Sequence, residues 1–151
     1  MDMALRDVAE QYYFNNYNCA ESVFLAANEY FGLGLDASSA KLVGGFGGGV
    51  QTGSACGAFL AAVSVISAMC IDDRAHNSNV LRPLVNDISD GLADRLGSTL
   101  CREIRPAVFE PERRCFVTVS TVCDLLEEAV ERYGLLKTEK TEEEEPSDGE
   151  E

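Results

Sequence analysis

The stretch that decides the fold is residues 44–71, which read GGFGGGVQTGSACGAFLAAVSVISAMCI. Six of its first ten residues are glycine, so residues 44–53 cannot hold a regular helix, and their backbone can closely approach a ligand or another helix. The rest of the stretch, from Ser54 to Ile71, is apolar on nearly every side, which predicts a buried helix. We call residues 44–53 the glycine loop and expect a helical domain built around the segment that follows it.

Hydrophobic periodicity extends the helical interpretation to the rest of the chain. Apolar residues recur at spacings of three and four in several segments, and glycine, proline or a capping residue stands at their ends. The predicted helices cover residues 3–13, 19–31, 36–43, 54–71, 81–96 and 111–134, with a short helical turn at 98–105 that Pro106 should end.

The last of these segments carries a conflict between helix and strand. Residues 116–122 are rich in β-branched side chains, which are typical of a strand. The helical period nevertheless continues for five turns without a break, so we assign a helix from near Pro111 to Gly134. The predicted fold class is therefore all-α, a compact bundle of about five to six helices around a central apolar helix.

Charge divides the chain into two regions. Its formal net charge of −14 argues against binding to nucleic-acid phosphates. Half of that charge lies in residues 138–151, which have eight acids, one lysine and no apolar residue to bury. We expect a disordered acidic tail there and a single helical domain over residues 1–137.

The composition also predicts where the protein works. No basic segment followed by an apolar run opens the sequence, so we expect no signal peptide. Six cysteines without an export signal indicate a reducing compartment, and we expect a cytoplasmic protein. No charge occurs between Lys41 and Asp72, but glycine fills much of that stretch and alanine and serine are frequent in its helix. We therefore expect no membrane span.

Four of the six cysteines share a position, because each follows a signal for the start of a helix. These are Cys19, Cys56, Cys101 and Cys115, and we call them the cysteine quartet. A thiol in the first turn of a helix lies near free backbone N–H groups and the positive end of the helix dipole. Both favour the thiolate, the form that binds metals and attacks disulfides. The sequence therefore predicts a thiol-based site.

The remaining candidates for chemistry have simpler interpretations. Cys123 lies in the apolar stripe of its helix, and buried cysteines behave as small hydrophobic residues. Cys70 lies about 21 Å along the helix from Cys56, at 1.5 Å per residue, so the two cannot share a site. His76 is the only histidine and stands in a polar stretch, where we expect an exposed loop rather than a catalytic pair.

Five motifs, taken in their order along the chain, resemble those of the C_GCAxxG_C_C family. The redox role of this family is inferred largely from its cysteines. The motifs are NCAE at 18–21, GFGGG at 45–49, CGA at 56–58, CRE at 101–103 and Cys115 before the last helix. The resemblance runs from about residue 4 to residue 133 and matches the family's four cysteines to the quartet. Ala61 stands where the CGAxxG motif has its final glycine. The resemblance implies a redox role and an iron–sulfur cluster, as in a related module of the split-Soret cytochromes.

Two kinds of redox site are compatible with the quartet. Four thiolates without histidine suit an iron–sulfur cluster, with zinc as the second choice. Backbone N–H groups of the glycine-rich segments would then face the cofactor, and the candidates are Gly47, Gly48, Gly49 and Gly57. Alternatively, the quartet cycles between thiol and disulfide, and chain order suggests the pairs Cys19–Cys56 and Cys101–Cys115. Each pair requires Cα atoms within about 7 Å.

A different class of function needs no redox chemistry. The glycine loop and the apolar helix could form a small-molecule pocket or a protein-interaction surface, with cysteines that are structural. A second copy of the chain could cover the loop, which would make the protein a homodimer. The sequence names no substrate or redox partner, and leaves open whether a redox protein of this kind is an oxidoreductase or an electron carrier.

Overall fold

The structure, a computed structural model, describes residues 3–137 of the chain, and within them it contains α-helices and no β-strand. The helices are α1 Leu5–Tyr13, α2 Cys19–Tyr30, α3 Lys41–Gly44, α4 Gly57–Cys70, α5 Leu81–Leu96, α6 Cys101–Val108 and α7 Phe116–Arg132. The predicted all-α class is confirmed. The predicted acidic tail, residues 138–151, lies outside the described residues.

Asn18 fixes the start of α2 and the start of the glycine loop together. Its side chain accepts a hydrogen bond from the Glu21 N–H at 2.9 Å, and the Glu21 carboxylate accepts one from the Asn18 N–H at 2.9 Å. The two bonds form a reciprocal capping box, for which the sequence has the pattern of Asn followed three residues later by Glu. The Asn18 amide also donates to the Gly44 carbonyl oxygen at 2.9 Å. The residue that begins α2 therefore holds the glycine loop beside Cys19.

The core lies between α2, α4 and α7, with α1 and α5 packed around them. Helix α4 turns its small residues Ala58, Ala61 and Ala62 inward, which lets α2 pack closely against it. Its opposite face is half-buried, so α4 is less enclosed than its apolar sequence predicts. Helix α7 has the most buried residues of the described helices and shares the centre with α4. Among residues 3–137, no helix has both the length and the hydropathy that crossing a bilayer requires.

The structure corrects two predicted helix boundaries near the quartet. Helix α6 continues through Pro106 and ends at Val108, so the proline does not stop it. Helix α7 begins at Phe116 rather than near Pro111, because Glu110 and Arg114 exchange two backbone hydrogen bonds in a tight turn. Arg114 has φ 52°, a left-handed conformation that a right-handed helix cannot include. The β-branched segment after this turn is helical, as predicted.

We predict that Asn18→Ala destabilises the protein by about 1–2 kcal/mol, because it removes a helix cap and the link to Gly44. Asn18→Asp keeps the acceptor for the Glu21 N–H but loses the donor to Gly44. The stability of this variant should therefore fall between that of the parent protein and that of Asn18→Ala. The measurement is urea unfolding. Asp36→Ala, which removes the cap of a single 3-10 turn, is the control and should cost less. An Asn18→Ala protein as stable as the parent would contradict the prediction.

Candidate functional site

The structure brings the cysteine quartet together around one cavity. Cys19 and Cys101 are the first residues of α2 and α6, whereas Cys56 and Cys115 are the residues that precede α4 and α7. All four line a cavity of about 210 Å³, which we call the cysteine cavity. Four helices from distant parts of the sequence therefore begin at the same place.

Backbone hydrogen bonds hold two of these helix starts side by side. A short antiparallel bridge joins the segments that precede α4 and α6. The Cys56 N–H donates to the Thr99 carbonyl oxygen at 2.8 Å, and the Cys101 N–H donates to the Ser54 carbonyl oxygen at 2.7 Å. The relative position of Cys56 and Cys101 is thus set by the main chain rather than by packing alone.

Helix α1 positions the fourth cysteine. The Tyr13 hydroxyl oxygen accepts a hydrogen bond from the Cys115 N–H at 3.0 Å. Arg114 donates to the Tyr13 carbonyl oxygen at 3.1 Å, and its guanidinium carbon lies 4.6 Å from the centre of the Tyr13 ring. The side chain of Arg105 donates to the Cys115 sulfur. These contacts tie the turn before α7 to the end of α1.

The glycine loop lies against the quartet and leaves no room for a side chain at Gly57, the first residue of α4. The Gly48 N–H donates to the Cys19 sulfur, and Gly48 also lines the cavity. A Cβ atom on Gly57, the other lining glycine, would overlap the Phe46 carbonyl oxygen and lie 3.1 Å from the Cys19 sulfur. The close approach of loop and helix start therefore requires glycine at position 57.

The other two glycines that were predicted to face a cofactor, Gly47 and Gly49, lie close to the starts of α2 and α6. A Cβ atom on Gly47 would lie 2.5 Å from the Asn18 side-chain nitrogen, and one on Gly49 would lie 2.6 Å from the Cys101 Cβ atom. Neither residue lines the cysteine cavity. Gly47 and Gly49 are therefore placed to hold the first residues of α2 and α6, and cofactor binding by any of the four glycines stays a prediction.

Burial dominates the acidity of three of the four quartet thiols, Cys19, Cys56 and Cys115. It raises the pKa of Cys19 to about 12, against the opposing hydrogen bond from the Gly48 N–H. Burial also raises the pKa of Cys56, opposed by the Phe59 and Ala58 N–H groups, and the pKa of Cys115, opposed by Arg105. The expectation that a helix start favours the thiolate is therefore wrong for these three residues, because the same placement buries them partly or fully.

The charges of the quartet also act on one another. The pKa of Cys19 is raised by charge on each of the other three cysteines, that of Cys56 by Cys101 and Cys115, and that of Cys115 by Cys101. Every pair within the quartet is thus close enough to interact electrostatically. Several thiolates can exist together in this cavity only if positive charge accompanies them.

The two remaining cysteines and the histidine lie elsewhere. Cys70 accepts a long hydrogen bond from the Ser78 hydroxyl at 3.6 Å, and Cys123 is fully buried in the core face of α7. His76 is exposed in a 3-10 turn. All six cysteines are free in the described part of the chain. In residues 3–137 no group of three or more His, Cys, Asp or Glu side chains is arranged to hold a metal ion, and the predicted metal ligands and disulfide pairs stay predictions.

Several residues of the cavity wall did not emerge from the sequence. They are Tyr13, Ile104, Arg105, Phe109 and Thr118, whereas Asn18 stands in the NCAE motif and Arg114 directly precedes Cys115. Thr118 is one helical turn beyond Cys115, and Arg105 is one turn beyond Cys101, so helical spacing could have indicated both. Tyr13 reaches the site through a contact across 102 residues, for which the sequence has no local signal.

The sequence profile described as "Putative redox-active protein (C_GCAxxG_C_C)" matches residues 17–129, which include the whole quartet. The chain belongs to the C_GCAxxG_C_C family. Searches of curated proteins and of solved structures gave no match. In this C_GCAxxG_C_C protein, Ala61, at the motif's final glycine position, is fully buried on the core face of α4 and does not line the cavity.

We predict that Gly57→Ala lowers the free energy of unfolding by about 1–3 kcal/mol, because the added methyl meets the Phe46 backbone. Gly45→Ala is the matched control: Gly45 is next to Phe46 in the glycine loop, has an ordinary φ of −73°, and a Cβ atom there meets nothing within 4 Å. The control should be neutral or slightly stabilising. Thermal and urea unfolding compare the two, and equal effects would contradict the steric argument.

We also predict an alkaline loss of stability in the metal-free protein. Folding raises the pKa of Cys19 to about 12, whereas an unfolded cysteine titrates at about 8.5. The stabilising contribution of a raised pKa is complete below the unfolded value and is lost as pH rises through the folded value. The free energy of unfolding should therefore fall above about pH 8.5, by up to about 1.4 kcal/mol per pH unit for this group.

Urea unfolding at a series of pH values measures this loss. Cys19→Ser should flatten the decline, and Cys70→Ser, which changes a cysteine outside the cavity, should leave it as in the parent protein. A Cys19→Ser profile with the parent's slope would show that another group causes the decline.

Proposed function

We propose that the cysteine quartet holds an iron–sulfur cluster and that the protein is an electron-transfer or redox-catalytic member of its family. The observation that carries the proposal is the convergence of four thiols from four helix starts on one cavity. Iron–sulfur clusters are held by cysteine thiolates, commonly four of them. The quartet supplies that number, and none of the described residues that line the cavity is a histidine or a carboxylate.

The surroundings of the quartet also fit such a group. N–H groups of Gly48, Ala58 and Phe59 already donate to the sulfur atoms of Cys19 and Cys56. Hydrogen bonds to ligand sulfurs stabilise negative charge and tune reduction potential. The guanidinium groups of Arg105 and Arg114 place positive charge at the same wall, where it would offset the negative charge of thiolate ligands. When bound, the cluster supplies one-electron redox chemistry.

Thiol–disulfide exchange is the competing use of the same residues. The quartet is close enough together for mutual electrostatic interaction, so this chemistry is open to it on proximity. Exchange begins with attack by a thiolate. Burial raises the pKa of three of the four thiols, which makes them poor nucleophiles at neutral pH. We therefore rank the cluster ahead of exchange.

The proposal includes a cytoplasmic location and a separate redox partner. Six cysteines that are free in the described structure suit a reducing compartment. An electron carrier also needs a donor and an acceptor outside the chain.

We predict that protein purified and reconstituted without oxygen contains iron and acid-labile sulfide in matching amounts and absorbs visible light. Replacing the whole quartet by serine should abolish iron, sulfide and colour. Cys70→Ser is the matched control and should retain all three, because Cys70 lies outside the cavity. The measurements are iron, sulfide and zinc per chain, with a visible spectrum and a thermal unfolding curve for each variant.

The other results identify the competing functions. Zinc without sulfide would favour a single-ion site. A metal-free protein in which mild oxidation joins quartet thiols into disulfides, with the loss of two hydrogen atoms per bond, would favour disulfide exchange. A quartet variant that matches the parent in metal content, redox titration and stability would favour the non-redox interpretation, in which the cysteines are structural.

A further inference from the structure

Two arginines at the cysteine cavity are kept apart from carboxylates. The chain has 26 acidic and 12 basic residues, and four arginines form ion pairs with Asp or Glu: Arg6, Arg95, Arg113 and Arg132. Arg105 and Arg114 line the cavity and form no ion pair with a carboxylate of the described residues. In so acidic a chain, two such guanidinium groups at one wall make that wall locally positive.

Aromatic rings hold both guanidinium groups in place. The Arg105 guanidinium carbon lies 4.2 Å from the centre of the Phe109 ring, and that of Arg114 lies 4.6 Å from the centre of the Tyr13 ring. Each also makes one hydrogen bond, Arg105 to the Cys115 sulfur and Arg114 to the Tyr13 carbonyl oxygen. A guanidinium carries five N–H donors, so both retain capacity for a further acceptor.

A buried hydroxyl in the same wall lacks a partner. Thr118 lines the cavity with only 5% of its surface exposed, and its hydroxyl oxygen has no hydrogen-bond partner among the described residues. Leaving such a group unpaired costs about 1–3 kcal/mol. The Tyr13 hydroxyl oxygen already accepts the Cys115 N–H, so its own hydrogen remains to be donated. The polar groups of this wall are therefore predominantly donors.

We propose that Arg105, Arg114 and Thr118 form a subsite for a small oxyanion, either a carboxylate or an inorganic oxyanion, beside the cysteine quartet. An oxyanion accepts several hydrogen bonds at once and matches the fork of donors on a guanidinium. The cavity volume of about 210 Å³ is below the roughly 300–1,000 Å³ of pockets for drug-sized ligands, which favours a ligand of a few atoms. The assignment of this oxyanion as the substrate class of the redox site rests on the proposed function. The binding of the oxyanion does not rest on it.

The test is calorimetric titration of the metal-free protein and of the iron-loaded protein with sodium sulfate and with sodium acetate, at constant ionic strength. We expect saturable binding of at least one anion. Arg105→Gln and Arg114→Gln should each weaken it at least tenfold. Arg102→Gln is the matched control, because Arg102 lies on the same helix α6, donates to the Gly53 carbonyl oxygen and does not line the cavity. It should change the affinity less than twofold.

Thr118→Val supplies a signature that general charge effects would not produce. The substitution keeps the shape of the side chain and removes the unpaired hydroxyl. We expect it to raise the melting temperature of the metal-free protein and to weaken anion binding about fivefold, which is the loss of roughly one hydrogen bond. Melting temperatures of every variant show that the protein remains folded.

Several results would overturn the subsite. These are the absence of saturable binding by either anion, a loss with Arg102→Gln equal to that with Arg105→Gln, and unchanged affinity in Thr118→Val. Iron and sulfide measured on the same samples separate this inference from the proposed function. Anion binding by a protein that cannot be loaded with iron would retain the subsite and reject the cluster. A loaded protein that binds no anion would retain the cluster and leave the arginines as its counter-charges.

Discussion

The close approach of the glycine loop to the first turn of α4 is the constraint on which the site depends. Gly57 lies so near the Phe46 carbonyl oxygen that no side chain fits between them, and the Cys19 sulfur lies just beyond. Asn18 holds the start of the same loop through Gly44. These contacts let α2 and α4 start side by side. Glycine here serves approach between backbones rather than flexibility, because the loop residues are held by neighbours on both sides.

Placing four thiols at this junction has an energetic consequence. Each helix start offers N–H groups that favour a thiolate, but enclosure by four helices removes the water that would solvate it. The balance leaves Cys19, Cys56 and Cys115 with raised pKa values. In the metal-free protein the cavity therefore favours the neutral thiol form of these three cysteines. A cationic group that binds there would replace protons, so loading and protonation are coupled, as is usual for cysteine metal sites.

The parts of the fold that sequence could predict are those decided locally. The α5 boundaries follow from an apolar period that Gly97 ends with φ 86°, and the start of α2 follows from the Asn18–Glu21 capping box. The start of α7 could not be predicted, because it depends on the left-handed Arg114. The other three helix starts beside the quartet were visible in the sequence. Their burial was not, because it is produced by helices far apart in the chain.

The same distinction applies to the cavity wall. Cysteines and glycines attract notice as residue types, whereas Arg105 and Thr118 become notable only through what surrounds them. An arginine on an exposed turn usually serves solubility, and a threonine in a helix usually bonds to the preceding turn. Here the arginine contacts a cavity sulfur, and the threonine hydroxyl is enclosed without a partner among the described residues. Such information exists only in three dimensions.

The acidity of the chain and the positive cavity wall together favour small anions over large ones. At physiological ionic strength, charges more than about 8 Å apart are largely screened, so an anion inside the cavity responds mainly to Arg105 and Arg114. A larger anion would extend beyond these two arginines, where the net charge of −14 on the chain opposes its binding. The net acidity of the chain and the local positive charge of the two arginines thus select anions by size.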